Sequence, residues 1–191
     1  MVARPDPPWV ELEPWADTDL DLLRRINAPE MMEHLGGPET EERVLARHQR
    51  YLAVADTETG RMFRIVLLPE REAAGAIGYW ERVGHGETVY EMGWSVLHRF
   101  QGKGIATAAA AAAIAHARAE HKHRYAQAFP SVDHPASSAI CRKLGFTFMG
   151  ASDFEYPPGS VIRCNEWRMD LEATNEVPTP HAGTESSVPR D

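Results

Sequence analysis

The sequence predicts an α/β fold in one domain: a mixed, mostly antiparallel sheet of about seven strands with flanking helices. Three observations predict it. Strand-like runs follow one another in a meander across residues 62–97, joined by turn-forming segments. The meander ends in a short segment holding two glycines and a lysine, and an alanine-rich helical stretch starts there at once. A further strand, a helix and a hairpin complete the chain, with no internal repeat. A length of 191 residues and an apolar share of 43% suit a soluble domain with a sizeable core.

Taken in order, residues 1–8 carry prolines at 5, 7 and 8 and read as a loose lead-in. Residues 9–15 alternate apolar and polar side chains as a half-buried first strand does, and Pro14 ends it. Asp17 or Thr18 caps a helix over 19–27, with Leu20, Leu22, Leu23 and Ile26 on its buried side. Residues 29–38 form a break, where Gly36-Gly37-Pro38 permits a sharp turn before a second helix at Glu39 or Thr40. Residues 62–68, 74–80 and 88–97 are the next strands, with turns at 69–72 and at Gly84-His85-Gly86. The alanine-rich helix covers 104–121, and alanine suits both helix formation and close approach to a sheet. Residues 125–129 form a fifth strand that Pro130 stops. Pro135 occupies the first turn of another helix, near Asp133 and His134, and Gly145 follows its last turn. Residues 146–154 and 161–171 are the arms of a hairpin around Pro157-Pro158-Gly159. The polar tail 172–191 has three prolines and no hydrophobic period, so disorder is expected there and the domain is 9–171.

The net charge of −8 argues against nonspecific nucleic-acid binding. Its distribution says more. Residues 97–143 hold seven Lys/Arg against two acids, a net of +5 that leaves −13 for the rest. A basic middle suits an anionic ligand, and an acidic surround suits a cationic one. Cys141 and Cys164 are the only cysteines, too few for a disulfide framework and without metal-site spacing. His116, His121 and His123 do not share one helical face, so a solvated helix end is expected there and no metal. No terminal stretch reads as a secretion signal and the apolar run 105–117 is too short to span a bilayer, which points to the cytoplasm.

Two segments carry a specific resemblance. Gln101-Gly102-Lys103-Gly104-Ile105-Ala106 fits the pattern Gln/Arg-x-x-Gly-x-Gly/Ala, and residues 134–146 read His-Pro-Ala-Ser-Ser-Ala-Ile-Cys-Arg-Lys-Leu-Gly-Phe. In order and spacing they resemble the pyrophosphate loop and the later Asn-x-x-Ser and Lys-Leu-Gly-Phe motif of the GNAT superfamily of acyl-CoA-dependent N-acetyltransferases. The chain is most similar to the branch that includes the ribosomal-protein N-terminal acetyltransferases. The resemblance implies a GNAT-like sheet splayed between its fourth and fifth strands, with acetyl-CoA as co-substrate. It also implies an amine acceptor, either a protein N-terminus or a small amine. No metal, nucleic acid or membrane partner is expected, and a homodimer remains open.

The residues fit that chemistry. Backbone amides at a helix N-terminus bind phosphate, and glycines let it approach; Gln101, Gly102, Lys103, Gly104, Ile105 and Ala106 supply such a site. By the resemblance, main-chain groups of Trp94, Ser95 and Val96 hold the pantetheine arm, and the Val96 N–H polarises the thioester carbonyl. An alkyl ammonium with a pKa of about 10 needs a base at neutral pH. Glu91, upstream on the same strand in an apolar run, is the first candidate, with Glu33 and Glu166 as alternatives. The competing reading pairs Glu91 with Arg64, Arg163 or Arg168 across the sheet. Many family members place a thiolate-protonating tyrosine where this chain has Cys141, so the branch's serine, here Ser137, is the expected partner of the sulfur. By the resemblance, His134 replaces the family's asparagine as a pantetheine contact, and Arg142 and Lys143 either reach toward the nucleotide phosphates or face solvent. Met31, Met32, Glu33, His34, Leu35 and Trp80 are the expected acceptor contacts.

Two other classes compete with this reading. A dinucleotide-dependent oxidoreductase would place its glycine loop after a first strand, with an acid about 20 residues on; here Glu120 stands at that distance, but inside a helical run. A non-catalytic acyl-CoA-binding or sensor module would bind the thioester without turning it over.

Overall fold

The computed structural model describes residues 9–155 and 159–173. The expected lead-in, the tail beyond 173 and the prolines of the last turn lie outside them. Seven strands form one sheet in the order β1-β2-β3-β4-β5-β7-β6. They are β1 (Val10–Pro14), β2 (Gly60–Leu67), β3 (Glu72–Gly84), β4 (Glu87–Val96), β5 (Tyr125–Ala128), β6 (Thr147–Glu155) and β7 (Val161–Asp170). All neighbours run antiparallel except β4 and β5, which are parallel and joined through a helix, as a parallel connection requires.

The helices are α1 (Leu20–Ile26), α2 (Pro29–Met32), α3 (Glu41–Asp56), α4 (Ile105–Glu120) and α5 (Pro135–Lys143). Thr40 caps α3 by accepting from the Arg43 N–H at 3.4 Å. The stretch expected to be a plain break instead holds α2 and a 3-10 turn, Glu33–Leu35. Asn27 closes that excursion. Its amide donates to the Glu39 carbonyl at 2.9 Å and accepts from the Glu39 N–H at 2.8 Å.

Side chains alternate between the two faces of the sheet. One face carries Phe63, Tyr79 and Tyr90 and meets α4: the Phe63 ring lies 5.2 Å from that of His116. Tyr79 donates to Glu120 at 3.0 Å and Tyr90 donates to its other oxygen. Arg61 completes the anchor, 3.3 Å from Glu120. Glu120 therefore fastens the end of α4 to the sheet, which removes it as a ribose ligand and with it the dinucleotide reading. His123 also departs from expectation: it is tucked against Tyr90 and 2.9 Å from Glu81, not solvated.

Ala109, Ala110, Ala113 and Ala117 are all 0% exposed, so the small side chains of α4 are what bring it close to the strands. Burial pushes the Cys141 thiol up to about 12 and Cys164 to about 11, and both are free core residues. Among the described residues, no helix is long and apolar enough to cross a membrane, and no cluster of three or more His, Cys, Asp or Glu is set to hold a metal ion.

The closeness of α4 is testable. Ala113→Leu is expected to lower stability by about 1–3 kcal/mol in urea unfolding, and a loss below about 0.5 kcal/mol would show slack between α4 and the sheet.

Candidate active site

Beside β4 the sheet is open. β4 pairs with β5 only at Tyr90↔Ala126 and Glu91↔Gln127. β5 ends at Ala128, and the chain beyond it follows β7 instead: Asn165 N–H donates to the Pro130 carbonyl at 2.8 Å and Val132 N–H to that of Arg163 at 3.0 Å. The far end of β4 is thus paired on its β3 side alone.

Strand geometry decides which groups face the opening. Leu97 N–H donates to the Ala74 carbonyl, on the β3 side, so by alternation Trp94 and Val96 turn their main-chain groups the other way. The Val96 carbonyl agrees: it accepts from Gln101 Nε2 at 2.9 Å. Ser95 departs from the sequence expectation. Its carbonyl faces Gly75, where an added Cβ would come within 2.0 Å of it, so its main chain belongs to the β3 ladder.

The glycine loop starts α4 as expected. Gly102 (φ 73°) and Gly104 (φ 81°) both have left-handed backbone, which glycine adopts without penalty. The amides of Gly102, Lys103 and Gly104 have no main-chain acceptor among the described residues. Those of Ile105 and Ala106 lie in the first helical turn, where no intrahelical acceptor exists. This cradle fits a diphosphate. Lys103 is exposed beside it and donates to the Arg99 carbonyl at 3.1 Å. Gln101 acts inward, tying the loop to the end of β4, while the Ile105 side chain is in the core.

On the far side of the opening, Ser137 is 7% exposed in the first turn of α5, and the Trp94 indole Nε1–H donates to its Oγ at 3.0 Å. The Ser137 hydroxyl hydrogen is therefore free for another acceptor. The segment 31–34 touches both sides. Gln101 Nε2 lies 3.8 Å from Met31 Sδ, and the His34 ring stacks on His134 at 4.4 Å and 14°. Burial first, then His34, holds His134 below the ordinary histidine range. Met32 is 1% exposed and fills space beneath this segment, so the surface it offers comes from Met31, Glu33 and His34. Arg142 sits in the last turn of α5 over the Trp167 ring, 5.6 Å from its centre, at the end away from Ser137.

Glu91 lies on the face opposite α4, with Trp80 directly across from it on β3. The Trp80 ring covers Gly93, where an added Cβ would be 3.0 Å from it. None of the arginines considered from sequence binds Glu91: Arg64 pairs with Glu13 and Asp19, Arg163 with Asp153 and Arg168 with Glu87. Its partner is Arg82, whose Nη1 donates to Oε2 at 3.1 Å. Burial raises the Glu91 carboxyl above its ordinary range, opposed by Arg82 and by a hydrogen bond from Trp80. Glu166 is engaged differently: its Oε1 meets His85 Nε2 at 2.6 Å and accepts from Gln127 Nε2 at 3.1 Å.

A sheet opened beside one strand, with a diphosphate cradle at that strand's end, defines the class of acyl-CoA-dependent acyltransferases. Residues 10–147 match the family model described as acetyltransferase (GNAT) domain, and the chain belongs to that family. No curated protein matches it. Among solved structures it is similar to RimL, a ribosomal L7/L12 alpha-N-protein acetyltransferase in complex with coenzyme A, at 19% identity, covering 86% of this chain and 96% of that one with a TM-score of 0.71. It is also similar to an acetyltransferase from Salmonella typhimurium that modifies the N-terminal serine of 50S ribosomal protein L7/L12, at 19% identity, 84% and 94% coverage and TM-score 0.68. A third is spermidine N-acetyltransferase from Vibrio cholerae in complex with CoA and spermine, at 14% identity, 85% and 95% coverage and TM-score 0.69. At these identities the likeness is one of fold.

Gly104→Ala forces a side chain into left-handed backbone, at a cost of about 1–2 kcal/mol, just where the amides converge. CoA binding measured by calorimetry is expected to weaken about tenfold; unchanged affinity would mean that the loop does not hold the diphosphate.

Proposed function

We propose that this protein moves an acetyl group from acetyl-CoA to a primary amine by direct attack within a ternary complex, with Glu91 as the base. The observation that carries the reading is the convergence of three things. They are the loop amides, the main-chain groups of Trp94 and Val96 that β5 leaves without a strand partner, and a half-buried carboxylate on the same strand. Relatives solved with coenzyme A, and one solved with CoA and spermine, support the choice of co-substrate and acceptor class.

Bound acetyl-CoA supplies an activated acyl thioester open to attack by a neutral amine. The amides of Gly102, Lys103, Gly104, Ile105 and Ala106 bind its diphosphate, and Lys103 adds a positive charge. Trp94 and Val96 align the pantetheine arm through their main chain, and the Val96 N–H stabilises negative charge at the acyl oxygen, an interaction worth about 2.7–4 kcal/mol where such donors have been removed. Glu91 takes a proton from the ammonium or from a water beside it. Ser137, its oxygen fixed by Trp94, turns its hydrogen toward the departing sulfur. His134 and His34 border the arm, and Glu33 and Trp80 face the acceptor.

Glu91 works only as the carboxylate, and burial moves its titration upward. Activity is therefore present above that raised pKa and lost as pH falls through it, earlier than an ordinary glutamate near pH 4.5 would dictate. Free-CoA release should be measured over a panel of amines and N-terminal peptides. Glu91→Gln is expected to reduce kcat/KM about 10²–10⁴-fold and to abolish the acid limb, while Ser137→Ala costs about tenfold or less. Undiminished turnover in Glu91→Gln removes Glu91 as the base. Tight CoA binding without release for any amine would favour a non-catalytic acyl-CoA module.

A further inference from the structure

Arg82 stands on the acceptor side of the sheet, one diagonal step from Glu91: Trp80 is opposite Glu91, and Arg82 is opposite Val89. Its guanidinium bonds Glu91 at 3.1 Å, and it is also braced from behind. The rings of Phe129 and Phe154 stack on each other at 4.7 Å, and the Arg82 Cζ lies 4.4 Å from the first ring centre and 4.7 Å from the second. Phe129 follows β5 and Phe154 belongs to β6, so elements on the far side of the opening fix a side chain of β3. A partly exposed arginine ordinarily loses rotamer freedom to hold one ion-pair geometry. Here the aromatic pair has already restricted it.

Few other groups could set the state of Glu91. Cys164 faces it from β7 with a buried, neutral thiol. Gln127 is its neighbour on β5 and is uncharged, with its amide given to Glu166. Beyond it, Glu166 is held by His85, and Asp153 is paired with Arg163, in a cavity of about 240 Å³ that Arg82, Gln127 and the two phenylalanines also line. Trp80 contributes a hydrogen bond but no charge. Among the described residues, Arg82 is the cation bonded to Glu91.

We propose that Arg82 is a positioning residue: braced on the Phe129–Phe154 pair, it holds its positive charge against Glu91 and so keeps that carboxylate ionised. The two influences on that carboxylate are opposed. Burial favours the neutral acid, and an opposite charge within hydrogen-bond distance favours the anion. Removing the arginine leaves burial opposed only by the Trp80 hydrogen bond, and Glu91 then takes up a proton at a higher pH. The consequence for catalysis rests on Glu91 being the base, so the test reads the ionisation of Glu91 separately from turnover.

The experiment is a carbon-13 NMR titration of the glutamate carboxyl groups in the full-length protein, with the Glu91 signal assigned from Glu91→Gln, alongside pH profiles of kcat/KM. In Arg82→Met the Glu91 midpoint is expected to rise by about 1–3 pH units, the range an adjacent arginine commands. The acid limb of kcat/KM should rise with it, and the high-pH plateau should stay within about threefold of the parent. Arg82→Lys restores most of the shift. A Glu91 midpoint that coincides in Arg82→Met and the parent overturns the proposal. So does an equal loss of activity at every pH, which is the sign of a merely structural arginine. Should Arg82→Met fail to fold, Phe129→Leu leaves the guanidinium and removes one brace; a smaller upward movement supports the proposal and none overturns it. A moved midpoint together with full turnover in Glu91→Gln upholds the hold of Arg82 on Glu91 and removes the base assignment instead.

Discussion

Because β5 has only four residues beside the ten of β4, and because the chain beyond Pro130 follows β7, the end of β4 has a strand partner on one side and none on the other. Main-chain N–H and C=O groups are costly to leave unpaired inside a protein. One of those at the opening, the Val96 carbonyl, is satisfied by the Gln101 side chain. The same bond ties the glycine loop to the strand, so the diphosphate cradle and the opening are held in one fixed relation. A ligand with a phosphate end and an amide-bearing arm suits both at once.

The two faces of the sheet divide the work. On one, the alanines of α4 and the anchor of Tyr79, Tyr90 and Arg61 on Glu120 hold the cradle's helix rigidly against the strands. On the other, Glu91, Trp80 and Arg82 gather as one polar and aromatic group, Trp80 directly across from Glu91 and Arg82 bonded to it. The stacked His34 and His134 rings connect the segment that Asn27 closes into a loop to α5 across the opening.

Much of this was legible in the chain. The hydrophobic period and the turns at 69–72 and 84–86 marked the meander, and two glycines directly before an alanine-rich run marked the start of α4. Pro130 marked where β5 stops. The order that inserts β7 between β5 and β6 was not legible, since nothing local to a hairpin says which arm meets the sheet. Nor was the separation of Ser95 from Trp94 and Val96, which depends on which side of β4 keeps a partner. Met32 looked like a contact surface because its burial is a tertiary fact. Arg82 was missed although a signal existed: the turn at His85-Gly86 places Gly84 opposite Glu87. Counting back from that pair puts residue 82 diagonal to residue 91. Of the arginines considered in its place, Arg163 and Arg168 sit on β7, whose position in the sheet the sequence does not reveal, and Arg64 sits on β2, which β3 separates from β4.

The proposed function requires the main chain of Trp94 and Val96 to be open to the cofactor's arm. Amide hydrogen exchange followed by NMR, with and without saturating CoA, tests it residue by residue. The Trp94 and Val96 amides are expected to become protected when CoA binds, while Ser95, already bonded to β3, is little changed. Protection confined to other parts of the chain, with Trp94 and Val96 exchanging as before, would contradict that requirement.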